Sequence, residues 1–301
     1  MNPDMYKKIA EKDGFIAALD QSGGSTPRAL HNYGIPADGY ASEEEMFELV
    51  HQMRTRMIKS PAFNGDNLIG AILFERTVNS QVDGLPTAQY VWEKKGVVPF
   101  IKVDKGLEAD ENGVQLMKPM PGLDDMLVAS KGKGIFGTKM RSVINAASPD
   151  GIAAIVAQQI EIGKQIFDHG LMPILEPEIT ITIEDKAEAE DILRDELVKR
   201  VSALPENYEV MLKLSLPETP NQYKALVDHP RVLTVVALSG GYPRAQSNQM
   251  LSQNTGMVAS FSRGFSEGLT AQQTDEAFDA MLAETIATCL LYTSPSPRDR
   301  G

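Results

Sequence analysis

Leu171–Glu176 reads LMPILE, an apolar run closed by a carboxylate. It lacks the apolar-polar alternation of a strand with one wet face, so it reads as a strand covered on both sides. Seven other runs share that character. Gly14–Leu19 (GFIAAL), Leu68–Phe74 (LIGAILF), Val97–Val103 (VVPFIKV) and Gly134–Lys139 (GIFGTK) precede it, and Glu209–Ser215 (EVMLKLS), Val232–Ser239 (VLTVVALS) and Met257–Ser262 (MVASFS) follow. Between the fourth and fifth runs, Ile152, Ile155, Val156, Ile160, Ile166 and Phe167 keep helical spacing behind a Ser148-Pro149-Asp150 start. A second helix is predicted over Asp185–Leu204, carrying Ile192, Leu193, Leu197, Val198 and Val201 on one side. Strands alternating with helices predict right-handed βαβ units and a parallel sheet, and eight units predict a single-domain (β/α)8 TIM barrel. The long segment from Asp20 to Asn67 is expected to hold more than one helix, and no interdomain linker is seen.

Composition fits that reading. The 301 residues are 42% hydrophobic and 23% charged, enough to bury a core and too apolar for a disordered polymer. Against 29 basic side chains stand 41 acidic ones, and the formal charge of -12 would repel a phosphate backbone or an anionic membrane. Neither nucleic acid nor membrane is an expected partner. No apolar run reaches the roughly 20 residues of a membrane span, and the start MNPDMYKKIAEKDG lacks a signal-peptide layout, which points to the cytoplasm. One cysteine and four histidines without short ligand spacing (His31, His51, His169, His229) leave no expected metal site, and no cofactor is called for.

In such a barrel chemistry belongs at the C-terminal ends of the strands. Asp20 ends the first run, Lys102 lies in the third, Lys139 closes the fourth, Glu176 closes the fifth and Lys213 lies near the end of the sixth. Lys102, Lys139, Glu176 and Lys213 are equally spaced along the chain, which predicts one common height in successive strands. Each lysine alone has a plain alternative, a strand cap with its amine in solvent. Three lysines converging with Asp20, Glu176 and Glu178 instead predict a pocket in which charges pair and shift one another's pKa values. Covalent lysine chemistry needs the amine freed of its proton, and a neighbouring cation such as Lys139 could favour that for Lys213. The free amine would attack a ketone, and the protonated imine would act as an electron sink for an adjacent carbon-carbon bond. Glu176 could shuttle protons during imine formation while Asp20 takes one from the hydroxyl whose carbon is cleaved.

Two anion sites suggest what the ketone carries. Ser239-Gly240-Gly241 after the seventh run can bring backbone amides close to a phosphate, and Ser262-Arg263 after the eighth adds a fixed fork of donors. A plain turn is the alternative for the first. Gln21-Ser22-Gly23-Gly24-Ser25 follows Asp20 and precedes a helix containing Arg28, a second possible cradle. A phosphosugar with two phosphates would fill both.

These segments together resemble the class I fructose-bisphosphate aldolases, particularly the shorter bacterial branch. The matching stretches are ALDQSGGS at Ala18–Ser25, GAILFE at Gly70–Glu75, FIKVDKG at Phe100–Gly106, GTKMR at Gly137–Arg141, PILEPEI at Pro173–Ile179, MLKL at Met211–Leu214, ALSGG at Ala237–Gly241 and FSRG at Phe261–Gly264. The resemblance implies a Schiff base on Lys213, proton transfer by Glu176 with Glu178 beside it, and Asp20, Lys102, Lys139 and Arg141 around the substrate chain. It further implies that Ser239, Gly240, Gly241, Ser262 and Arg263 hold the ketose C1 phosphate and that Ser22 and Ser25 meet the C6 phosphate. The implied reaction is reversible cleavage of fructose 1,6-bisphosphate to dihydroxyacetone phosphate and glyceraldehyde 3-phosphate. A metal-dependent phosphosugar enzyme and a non-catalytic phosphosugar-binding barrel are the competing readings.

Cys289–Gly301 (CLLYTSPSPRDRG) departs from all this. It breaks the helical pattern of Phe278, Met281, Leu282 and Ile286, and resembles a translated sequencing-adapter end, so residues 1–288 are expected to form the barrel domain and 289–301 a non-native tail.

Overall fold

The structure, a computed structural model, describes residues 1–11, 14–22 and 25–290, apart from the side chains at positions 25, 263, 264 and 289. Eight parallel strands follow one another around a single sheet in chain order: β1 (Phe15–Leu19), β2 (Leu68–Leu73), β3 (Val98–Lys102), β4 (Gly137–Ile144), β5 (Met172–Ile179), β6 (Val210–Ser215), β7 (Val232–Leu238) and β8 (Met257–Ala259). They are buried along nearly their whole length, as their unbroken apolar runs require. β8 lies against β1 without a ladder between them among the described residues, so the barrel is nearly closed.

Three strand limits differ from expectation. β4 starts at Gly137 and continues to Ile144, and β5 continues to Ile179, so Lys139 and Glu176 sit within strands rather than closing them. The reason is an eight-pair β4–β5 ladder that carries both strands beyond the barrel mouth. β8 ends at Ala259, because Ser262 opens a short helix, Ser262–Ser266.

The expectation of one common height is corrected as well. Lys102 faces Lys139 across β3–β4, and the β5–β6 pairs Ile174/Met211 and Leu175/Leu212 bring Glu176 level with Lys213. Between β4 and β5, Lys139 faces Ile174, and it is Arg141 that faces Glu176. A barrel closes only if its strands are staggered, and here part of the stagger falls between β4 and β5. An offset of two residues keeps every side chain on its face, whereas an offset of one would have turned Glu176 outward. Following the ladders round, Ala18, Phe100, Lys102, Lys139, Ile174, Met211, Lys213, Val236 and Val258 share the inner face, with Asp20 two residues beyond Ala18.

Helices cover the outside. Pro149–Asp168 begins where predicted, with Ser148 Oγ accepting from the Gly151 N–H at 3.3 Å and Pro149 at the first turn. Its Ile152, Ile155, Val156, Ile160 and Ile166 are buried, each contributing about 1.5–3 kcal/mol. Lys186–Ser202 packs beside it and buries Leu193, Leu197 and Val201. Where β3, β4 and β5 crowd together only glycine fits at 137, since a Cβ would stand 2.3 Å from the Met172 carbonyl oxygen. The segment between β1 and β2 holds two helices, Ser25–Asn32 and Glu43–Lys59.

The two ends of the barrel are treated differently. Helix Pro3–Glu11 lies across the N-terminal end, burying Met5 and Ile9, and the Ile9 carbonyl accepts from Thr234 Oγ1 at 3.3 Å. The C-terminal mouth stays open. The last helix, Asp275–Leu290, persists two residues past the expected break, with Leu290 packed against the core. Cys289 and Leu290 carry nothing that forbids helix; the first proline beyond them is Pro295. The rest of the expected tail, 291–301, lies outside the described residues.

Candidate active site

The mouth holds a cleft of about 630 Å³. Asp20, Ser22, Lys102, Lys139, Arg141, Glu176, Glu178, Lys213, Ser239, Gly240, Gly241 and Ser262 all line it. They come from seven of the eight strands or the turns after them, so remote segments converge because the barrel brings these strands into a ring. Ser25 opens its helix and Arg263 lies in the short helix after β8, but both side chains are outside the described residues.

Burial removes the solvent-cap alternative for two of the three lysines. Lys139 is 2% exposed and Lys213 4%. Ammonium groups this deep require carboxylate partners, and these are present. Lys139 Nζ lies 2.6 Å from Asp20 Oδ2 and 2.8 Å from Glu176 Oε2, while Lys213 Nζ lies 2.9 Å from Glu176 Oε1. A single carboxylate therefore bridges two ammonium groups. Glu176 Oε2 approaches Lys139 off the hydrogen-bonding direction and has no hydrogen-bond partner, so the contact is ionic and the oxygen keeps acceptor capacity.

Burial alone would push the Asp20 carboxyl up, but the Lys139 ammonium, with Lys213 after it, outweighs that and holds it well below the usual carboxylate range. Glu176 follows the same balance and is also held down, despite the like charge of Asp20. Desolvation would weaken the Lys139 charge, yet Asp20 and Glu176 raise its pKa above the ordinary lysine value. Lys139 is accordingly the permanent cation of the cluster.

A second ionic group lies beside the first. Lys102 Nζ meets Asp104 Oδ1 at 2.6 Å, Asp104 Oδ2 accepts from the Arg141 backbone N–H at 3.3 Å, and the Arg141 guanidinium pairs with Glu178. Glu178 is thereby neutralised by Arg141 rather than joined to Glu176. Asp104, 7% exposed, was missed by sequence reasoning although it stands in the FIKVDKG stretch, where an acid between two lysines was the available signal. Gln21, Arg28, Ser260 and Ser266 also line the cleft.

Among the described residues no group of three or more His, Cys, Asp or Glu side chains could hold a metal. A buried lysine joined through a carboxylate to a second, permanently charged lysine suits amine-carbonyl chemistry. A family model for class I fructose-bisphosphate aldolase matches residues 4–254. The chain belongs to this aldolase family. The aldolase of this name from Synechocystis is 55% identical over 285 residues, covering 95% of each chain. That of Porphyromonas gingivalis is 54% identical over 286 residues, covering 95% of this chain and 97% of the relative. In fold the chain is similar to the Plasmodium falciparum fructose-bisphosphate aldolase, at a TM-score of 0.78 and 20% identity, covering 97% of this chain and 93% of that one.

In this aldolase the turn after β7 is conformationally committed. Gly240 has φ +60° and Gly241 φ +132°, and a Cβ on Gly240 would stand 2.6 Å from Ile181 Cγ2. Gly240 and Gly241 line the cleft, and this turn conformation requires glycine at 240. Gly240→Ala is expected to raise KM for a ketose phosphate roughly tenfold, about 1.4 kcal/mol, with a smaller change in kcat. Steady-state kinetics check this, and an unchanged KM would show that the turn does not hold the phosphate.

Proposed function

We propose that this chain reversibly cleaves fructose 1,6-bisphosphate to dihydroxyacetone phosphate and glyceraldehyde 3-phosphate through a Schiff base on Lys213. The observation that carries this is the buried chain Asp20, Lys139, Glu176, Lys213 at the barrel mouth. Glu176 Oε1, 2.9 Å from Lys213 Nζ, takes the ammonium proton, and the freed amine attacks the C2 ketone. Glu176 returns a proton to the departing hydroxyl, water leaves and the iminium forms. Asp20 removes the C4 hydroxyl proton; the C3–C4 bond breaks, its electrons enter the iminium and the aldehyde departs. The enamine is then protonated at C3, and hydrolysis of the iminium releases dihydroxyacetone phosphate and the amine. Lys139 remains charged throughout and stabilises both carboxylates.

The turn Ser239–Gly241, with Ser262 and Arg263, holds the C1 phosphate. Ser22 and Ser25 meet the C6 phosphate, with Arg28 nearby on the cleft wall. Lys102 and Arg141, steadied by Asp104 and Glu178, contact the sugar chain. The reaction needs no metal, and its setting is the cytoplasm. Neither nucleic acid nor a membrane is a partner; among the described residues no helix is long and apolar enough to cross a membrane. Borohydride reduction with dihydroxyacetone phosphate, followed by peptide mass mapping, tests the mechanism. The Lys213 peptide should gain substrate mass with or without a chelator, and no adduct, or loss of activity to the chelator, would overturn it.

The end of the chain from Cys289 is non-native on the same reading. Its two Ser-Pro pairs and the break they make in the preceding helical pattern support this, while Leu290 packs against the core. Deleting residues 291–301 is therefore expected to leave Tm and retro-aldol rate unchanged, whereas a fall in either would give the segment a role.

A further inference from the structure

Arg54, on the helix Glu43–Lys59, is 1% exposed and among the largest fully buried side chains. Its Nη1 donates to Thr77 Oγ1 at 3.0 Å, on the short helix after β2. Its Nη2 donates to the Gln21 carbonyl at 2.5 Å and to Gln21 Oε1 at 3.5 Å. Gln21 Nε2 in turn donates to Ser262 Oγ at 2.5 Å and to the Ala18 carbonyl at 3.3 Å. One buried cation thus ties together the segments that follow β1, β2 and β8.

Its partners are neutral. Among the described residues no carboxylate lies within ion-pair distance of Arg54, and the nearest compensation is the longer-range field of Asp20. An unpaired buried cation is costly, so a structural role alone is served better by an apolar side chain of the same volume. Gln21 is held by hydrogen bonds on both sides, from Arg54 and to Ser262 and the Ala18 carbonyl, and its side chain borders a small void lined also by Tyr33, Met53, Met57 and Ser266.

We propose that Arg54 is a positioning residue of the cleft: it fixes the Asp20–Ser22 segment and, through Gln21, Ser262 at the neighbouring end of β8, and so sets one separation between the two phosphate-binding segments. This rests on the aldolase reading. A cleft held at that separation favours a substrate with a phosphate at each end over one with a single phosphate. Losing the tie lets the β1 segment and Ser262 drift independently, which penalises the doubly anchored substrate more.

The test compares fructose 1,6-bisphosphate with fructose 1-phosphate in Arg54→Met, Arg54→Ala and Gln21→Met, with active sites counted by borohydride trapping with dihydroxyacetone phosphate. The preference for the bisphosphate, as a ratio of kcat/KM values, is expected to shrink by at least about tenfold in the Arg54 variants and in the same direction in Gln21→Met. Guanidinium should restore the ratio in Arg54→Ala, and methylammonium should not. A merely structural Arg54 would lower Tm and the trapped fraction while leaving the ratio per active site unchanged, and that overturns the proposal. If the Arg54 variants fail to fold, Gln21→Met decides, an unchanged ratio being the overturning result. Failure of the aldolase reading would be seen separately, as absence of trapping and cleavage in the unaltered chain.

Discussion

Lys213→Met is expected to reduce the retro-aldol rate by on the order of 10⁴ to 10⁶, the loss that follows removal of a covalent nucleophile. Its peptide should no longer gain mass on borohydride reduction with dihydroxyacetone phosphate. The fold should survive, because Glu176 keeps the Lys139 ammonium 2.8 Å away after Lys213 is gone. Methionine also fills most of the space of the lysine stem, so no large cavity is left. Circular dichroism and thermal melting would verify the fold, and trapping on Lys139 or Lys102 in the unaltered protein would move the nucleophile elsewhere.

Lys139→Met should be the more damaging change to stability. It removes the cation 2.6 Å from Asp20 and 2.8 Å from Glu176, leaving two buried carboxylates with Lys213 as their nearest cation. Breaking a buried pair in this way costs about 3–5 kcal/mol, and activity should fall by roughly 10² to 10⁴ as both proton-transfer groups lose their charge balance. The pH dependence has a definite sign. Asp20 and Glu176 have folded-state pKa values below their unfolded ones, so their stabilisation is complete above the ordinary carboxylate range. In the unaltered protein it is lost only as pH falls through the depressed values. Without Lys139, burial pushes both carboxyls back up, and the acid limb of stability should move to higher pH. Urea melts between pH 3 and 8 would show this; an acid limb that stays in place would mean that Lys213 alone compensates both groups.

Much of the barrel was legible because each strand is buried on both faces, and double-sided burial writes itself as a local apolar run. The same holds for Ser148 and Pro149, whose capping geometry depends on neighbours three residues away. The site residues were legible for a related reason. A charged residue within a run such as EVMLKLS conflicts with burial unless the fold supplies partners. Arg54 was not seen, because arginine on a helix rich in charge reads as solvent-facing. Its place on the stripe of Met46, Val50, Met53 and Met57 was the signal that could have found it.

What the sequence by itself determined was the alternation of strand and helix, the count of eight, and the ring of Asp20, Lys102, Lys139, Glu176 and Lys213 at one end. These depend on local burial and on the right-handedness of parallel crossovers. Only the tertiary structure decided which charge meets which: that Glu176 bridges Lys139 and Lys213, that Glu178 belongs to Arg141, and that Asp104 joins Lys102. Such pairings follow from the stagger between strands, and the two-residue offset between β4 and β5 breaks the equal heights that equal spacing suggested. Stagger is a property of closing the whole ring, shared among all eight strands, so no single stretch of sequence carries it.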